Sequence, residues 1–276
     1  MTELLEALVL GIVQGLTEFL PISSTGHLIL AEEFLGIPEG KFGLPFDAAI
    51  HLGTLAAVLV YFRQTITRIV AAWFASLAGL NWRHTPQSQL AWLLILGTIP
   101  AVIAGVLIES TAEDELRDPA LVAVMMILFC IPMILAERWG RGRREIAGVT
   151  PRDALLIGVA QSVALIPGVS RSGITISTGM LAGLRREEAA SFAFLLSAPV
   201  IAGAGGKQVF DAVRDGNSAA GGLDVYLTGL IAAAIVGYVA VAFLMKYLRT
   251  NSLMGFVAYR VVLGVFVLAL VAAGWL

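Results

Sequence analysis

Charge is scarce in this sequence. Asp, Glu, Lys and Arg make up 14% of its 276 residues, against 58% hydrophobic residues and a mean hydropathy of +0.87. A water-soluble domain of this length would have too little polar surface to cover itself, so that class is excluded and an integral membrane protein is expected. Cysteine is nearly absent as well. The lone Cys130 rules out an internal disulfide framework and reads as a small buried apolar side chain. No basic run marks a nucleic-acid partner, and none is expected. Basic residues are also missing between Met1 and Val13, where Glu3 and Glu6 stand instead. A secretory signal carries Lys or Arg there, so no cleaved signal peptide is expected.

What is present stands out against that apolar background. The stretch QGLTEFLPISSTGH, Gln14 to His27, places Gln14, Thr17, Glu18, Ser23, Ser24, Thr25 and His27 inside a hydrophobic run, with Pro21 and Gly26 interrupting any continuous helix. A carboxylate or imidazole at membrane depth costs several kcal/mol and faces a cavity or partner helices, which makes this stretch a candidate site.

A helix needs about 20 apolar residues to span the hydrocarbon core. Phe46 to Phe62, Leu90 to Ile108, Pro119 to Ala136, Glu188 to Gly206, Leu223 to Met245 and Met254 to Leu276 meet that rule. Leu4 to Leu35 and Ala154 to Leu184 do not, because each is cut by a Pro, Ser and Gly cluster. Cytoplasmic loops are enriched in Lys and Arg. The loops holding Arg63, Arg68 and Arg83, and then Arg138, Arg141, Arg143, Arg144 and Arg152, are accordingly placed inside, and the acidic stretch Glu109 to Asp118 outside. Arg185 and Arg186 are basic again, so Ala154 to Leu184 must enter and leave on one face. The expected fold is all-α and polytopic: about six full spans plus two re-entrant hairpins, with both termini outside. Ile66, Val70, Trp73, Phe74 and Leu77 recur at helical spacing between basic residues, predicting a helix lying on the cytoplasmic interface. Trp82, Trp92 and Trp139 read as interface anchors.

The two hairpins look like copies. GIVQGLTEFLPISS from Gly11 aligns with GVAQSVALIPGVS from Gly158, pairing Gln14 with Gln161, Pro21 with Pro167 and Ser24 with Ser170 across a one-residue gap. An odd number of spans follows the first copy, so the second is inverted. Residues 1–136 and 153–276 are thus expected to be inverted repeats within one membrane domain, meeting at a midplane site.

Pro21 and Pro167 stop helices, and the hydroxyl residues after them suit the N-caps of the helices that follow. Helix N-termini bind anions, phosphate above all. Arg171, in PGVSRSGIT, falls at the second hairpin tip, where a guanidinium can grip phosphate with paired hydrogen bonds. Gln14 and Glu18 share a helix face. A carboxylate beside a phosphate calls for a divalent cation, Mg²⁺ or Ca²⁺, with Glu18 as ligand; the alternative is a direct Glu18–Arg171 ion pair. Ser24 and His27, three apart, would face the same way as nucleophile and general acid or base. Asp47 and His51 stand one layer further out.

QGLTEFLPISSTGH and PGVSRSGIT together resemble the two signature motifs of the bacterial undecaprenyl-diphosphate phosphatases, the bacitracin-resistance family, and the similarity runs over essentially the whole chain, including FDAAIHLGTLAAVLVYFR from Phe46. That resemblance implies hydrolysis of a C55 isoprenoid diphosphate to its monophosphate and inorganic phosphate in the bacterial inner membrane. It implies catalytic roles for Glu18, Ser24, His27 and Arg171, and phosphate-binding roles for Gln14, Ser23, Thr25, Ser170, Arg171, Ser172 and Thr175. Gln14 stands where the family pattern allows Glu or Gln. Ser24 and an activated water both remain open as the attacking group. Bacitracin is expected to compete by binding the lipid substrate, and an oligomer is left open. From the architecture alone, a secondary transporter or flippase of a phosphorylated lipid is the alternative function, distinguished by the absence of bond cleavage.

Overall fold

The computed structural model describes residues 2–38, 41–79, 85–108, 118–214 and 222–275. Among these, helices account for every regular element. The first hairpin is α1 (Glu3–Phe19) and α2 (Ser24–Leu35), followed by α3 (Gly43–Tyr61), α4 (Arg63–Ala78) and α5 (Pro86–Ile108). Then come α6 (Pro119–Leu128) and α7 (Cys130–Trp139), the second hairpin of α8 (Pro151–Val163) and α9 (Arg171–Leu181), and finally α10 (Arg186–Arg214), α11 (Leu223–Tyr247) and α12 (Met254–Ala272). Five segments are long and apolar enough to cross a membrane, or six if α3 and α4 are counted as one bent span. The acidic stretch is described only at Asp118, and Trp82 and Arg83 also lie outside the described residues.

Two features of these helices have local causes. Helix α4 turns 84° away from α3, burying Ile69 and Ser76 while leaving Val70, Phe74 and Leu77 exposed. That is the geometry expected of a helix lying along an interface. The segment expected as one span from Pro119 is one apolar span to Trp139, with a local irregularity at Phe129 between α6 and α7. Pro132 explains the irregularity: it has no N–H to offer the Leu128 carbonyl, and its ring crowds that carbonyl.

The first helix of each hairpin packs mainly on the other half of the chain. Helix α1 lies against α11, and α8 lies against α5. Both approaches are so close that only glycine fits: a Cβ on Gly11 would sit 2.4 Å from the Gly229 carbonyl oxygen, and one on Gly158 2.2 Å from that of Gly97. Backbone contact of this kind replaces the hydrophobic drive that lipid cannot supply between helices. Around the first break, Phe19 and Phe62 both pack on Phe194 of α10, sealing the central core.

Polar contacts pin the base of the second hairpin. Arg144 donates to Asp153 Oδ2 at 2.6 Å, to the Ala182 carbonyl at 2.6 Å and to the Gly148 carbonyl. Asp153 also closes a capping box with Thr150 at the start of α8. Arg186 pairs with Glu137, whose Oε1 accepts from the Leu253 N–H at 2.8 Å. Burial pushes the Asp153 carboxyl upward, but hydrogen bonds from Arg144 and Thr150 outweigh it and hold the group below the ordinary carboxylate range. Such a group stabilises the fold above its unfolded value of about 3.9, and the stabilisation is lost as pH falls through the lower folded value. Asp153→Asn is therefore expected to lower the melting temperature by a few degrees near neutral pH. Thermal unfolding in detergent should show the gap to wild type closing below about pH 4; a gap constant across that range would assign the loss to packing instead.

Candidate active site

The site forms where the two hairpins break. Helix α1 ends at Phe19 and the chain passes through Pro21 to Ser23, which holds φ +75° and caps α2 by accepting from the Gly26 N–H. Ser170 repeats this at the second tip, with φ +73° and its Oγ accepting from the Gly173 N–H at 3.2 Å. These are the only non-glycine residues with positive φ among the described residues, and such a conformation costs about 1–3 kcal/mol each. The matching caps move the expected pairing of the two hairpins by one residue. Ser23, rather than Ser24, corresponds to Ser170, and Ser24 then corresponds to Arg171, each being the first residue of its helix.

Glu18 is the hub of the cleft. Its side chain is only 4% exposed, yet both oxygens are engaged. Oε2 accepts from Ser24 Oγ at 2.6 Å and from Gln14 Nε2 at 3.1 Å, and lies 3.8 Å from His51 Nε2. Oε1 pairs with an Arg171 guanidinium nitrogen at 3.1 Å. The chain thus adopts the direct Glu18–Arg171 pair named above as the alternative. Glu18, Ser23, Ser24 and Thr25 from the first hairpin and Ala164, Ile166, Gly168, Ser170 and Arg171 from the second line the cleft.

The other expected residues stand behind it. Ser172 Oγ donates to the Leu20 carbonyl at 3.0 Å, tying one tip to the other. Thr175 Oγ1 donates back to the Arg171 carbonyl at 2.7 Å, along its own helix. His27 is not joined to Ser24. Its Nδ1 meets the Ser23 carbonyl at 2.7 Å and its Nε2 meets the Tyr259 hydroxyl at 2.7 Å, with the two rings stacked 9° from parallel. A carbonyl only accepts, so Nδ1 carries a proton, and both ring nitrogens are committed away from the serine. The sequence spacing placed His27 on the right helix face; the capture of its ring by Ser23 and Tyr259 was not legible there.

One residue was missed altogether. Arg260, on α12, is fully buried, and among the described residues it makes no ion pair. It donates instead to backbone carbonyls: Met126 at 2.9 Å, Gly168 at 2.8 Å, Pro21 at 3.4 Å and Met125 at 3.5 Å. One guanidinium thereby holds both hairpin breaks and the last turns of α6. The only signal available was a single arginine inside an apolar span, which by default marks function in a membrane segment.

Among the described residues, no group of three or more His, Cys, Asp or Glu side chains could hold a metal by itself. The donor set does fit an ion that arrives with phosphate. Gln14 Oε1 is buried without a partner, on the amide that touches Glu18, so two hard oxygen donors stand together at the cleft. Mg²⁺ is commonly bound in this way, through one or two protein oxygens plus substrate phosphates.

Comparison with known proteins places the chain in a family. The family model described as "Bacitracin resistance protein BacA" matches residues 7–266. A protein of Rubrobacter xylanophilus named undecaprenyl-diphosphatase is 45% identical over 270 residues, covering 98% of this chain and 99% of that one. Proteins of the same name from Thermobifida fusca and Corynebacterium glutamicum are 41% and 44% identical, each match covering 98% of this chain and 91% and 92% of theirs. With a family match across nearly its whole length and relatives of this identity and coverage, the chain belongs to the BacA family of bacitracin resistance proteins.

Proposed function

We propose that this protein hydrolyses undecaprenyl diphosphate to undecaprenyl phosphate and inorganic phosphate, recycling the lipid carrier of cell-wall synthesis and so conferring bacitracin resistance. The observation that carries the reading is the 2.6 Å hydrogen bond from Ser24 Oγ to Glu18, with Arg171 on the carboxylate's other oxygen. A hydroxyl held on a buried carboxylate, beside a guanidinium and the N-termini of α2 and α9, is equipped to attack a phosphorus atom.

The terminal phosphate is gripped by Arg171 and the first N–H groups of the two helices. Ser24 Oγ attacks the terminal phosphorus while its proton passes to Glu18 Oε2. The bond from phosphorus to the bridging oxygen breaks, and undecaprenyl phosphate leaves with the electron pair. Once Glu18 has released that proton to solvent, water attacks the phosphoserine, its proton going to the again ionised Glu18 and on to the departing Ser24 oxygen, and inorganic phosphate is released. His27 acts on the cleft through the Ser23 carbonyl. A divalent ion bound by Glu18 and Gln14 would neutralise charge on the phosphate oxygens. The apolar helix faces left exposed, such as Val102, Ile103 and Val106 on α5, suit contact with lipid and the C55 tail. Bacitracin, on this reading, competes by sequestering the lipid diphosphate.

The reading of residues 1–136 and 153–276 as inverted repeats is supported by the matching Ser23 and Ser170 caps and the exchanged Gly11–Gly229 and Gly158–Gly97 contacts. Charge placement supports a bacterial inner-membrane orientation with both termini outside. The test is phosphate release from a polyprenyl diphosphate by purified protein, with and without EDTA. Release is expected, and its loss with chelator would support the ion. Release that survives EDTA would discard the ion and keep the hydrolase. Folded protein that releases no phosphate would overturn the reading in favour of lipid transport.

A further inference from the structure

The tip that carries Ser24 has a latch that the second tip lacks. Four residues after each capping serine, a helix N–H returns to that serine's carbonyl: Ile174 to Ser170 at 3.0 Å, and His27 to Ser23 at 3.3 Å. At the first tip the shorter contact comes from the side chain, Nδ1 of His27 donating to the same carbonyl at 2.7 Å. A neutral imidazole protonated at Nδ1 has only a lone pair at Nε2, so the Tyr259 hydroxyl, 2.7 Å away, is the donor there. The two rings also stack, with centroids 5.6 Å apart. Tyr259 thus holds the imidazole by its far nitrogen and its face, and the imidazole holds the Ser23 carbonyl. Beside Tyr259 on α12, Arg260 donates to the Pro21 carbonyl at 3.4 Å, so two consecutive residues of one helix grip the first break.

The direction of that grip bears on the chemistry. The Ser23–Ser24 peptide is trans, and a trans peptide points its N–H away from its carbonyl. Fixing the Ser23 carbonyl therefore fixes the Ser24 N–H on the opposite side. Ser24 is the first residue of α2, where the N–H has no partner inside the helix, and both Ser23 and Ser24 line the cleft. One residue then offers both the hydroxyl that attacks and an N–H for the phosphate oxygens. We infer that Tyr259 is a positioning residue for phosphoryl transfer: through His27 it holds the Ser24 N–H on the oxygens that gain charge as Ser24 Oγ attacks. This rests on the reading of the helix N-termini as the grip on the terminal phosphate. Tyr259 itself is not among the residues lining the cleft, so its effect on the reaction passes through the imidazole.

The experiment compares wild type, Tyr259→Phe, His27→Gln and the double variant, each purified in detergent and checked by size-exclusion chromatography and thermal unfolding. Phenylalanine keeps the stacked ring and removes only the hydroxyl. Tyr259→Phe is expected to lower kcat by about tenfold with KM within about twofold, and to weaken inhibition by orthovanadate, a mimic of the phosphorus in transfer, by a similar factor. In the His27→Gln background the same change should cost nothing further, because the two residues act in series. Nitrogen-15 NMR of protein labelled at its three histidines, with His27→Gln supplying the assignment, should show the His27 Nε2 signal moving downfield in Tyr259→Phe, as an acceptor nitrogen does on losing its donor. Unchanged kcat and vanadate inhibition in Tyr259→Phe would overturn the inference, and so would an Nε2 signal that stays in place. A loss that follows a lowered melting temperature and adds fully to that of His27→Gln would assign Tyr259 to packing and overturn it too. Wild type that neither releases phosphate nor responds to vanadate would instead remove the phosphate site itself, so the two failures are told apart.

Discussion

Arg171→Ala is expected to lower phosphate release by about a thousandfold or more while the protein remains folded. Two effects add. The terminal phosphate loses its only guanidinium among the residues lining the cleft, and that group was placed to meet charge as it builds in transfer. Glu18, 4% exposed, also loses the cation on its Oε1, which changes the carboxylate that holds Ser24. Arg171→Lys should recover only a small part of the rate, since an ammonium restores the charge but not the paired, planar contact with phosphate oxygens. Single-turnover phosphate release, with size-exclusion chromatography as the check on folding, decides the matter. A folded Arg171→Ala protein within tenfold of wild type would remove Arg171 from the phosphate site.

Arg260→Met should be the most damaging substitution away from the cleft. Methionine fills much of the volume but takes the guanidinium from the carbonyls of Pro21 and Gly168, at a cost of about 1–3 kcal/mol for each buried group left unsatisfied. Both hairpin breaks would relax together, so thermal stability in detergent and activity are expected to fall in parallel. Arg260→Lys should not restore either, because a single ammonium cannot span three carbonyls that a planar fork reaches at once. A stable, fully active Arg260→Lys would show that charge, and not the fork, is what the two tips require.

These residues mark where the sequence was legible and where it was not. The break at Pro21, the shared face of Gln14 and Glu18, and the placement of Arg171 at a tip all follow from local rules, because proline geometry and helical spacing act over a few residues. The Ser24–His27 pairing did not follow. Spacing by three fixes a helix face but not a rotamer, and the Ser23 carbonyl and Tyr259 compete for the ring. Arg260 was out of reach for a different reason: its partners Pro21 and Gly168 lie 239 and 92 residues away, and only the assembled bundle brings the three together. The span from Pro119 was legible from its hydropathy, and Pro132 accounts for the local irregularity at Phe129.

The fit of α1 against α11 also sets a timetable. Helix α1 leaves the ribosome well before its partner, because Gly229, against which Gly11 seats, is made more than two hundred residues later. At about 5–20 residues per second, that wait is roughly 10–45 s. For most of it Glu18 has neither Arg171 nor the wall of α11, so a buried carboxylate of the finished protein starts life in the membrane without its counter-ion. Helix α8 faces no such delay, since α5 is already in place when it emerges. The first hairpin thus stays open until α11 arrives, and in that interval its polar break is exposed to misassembly and quality control.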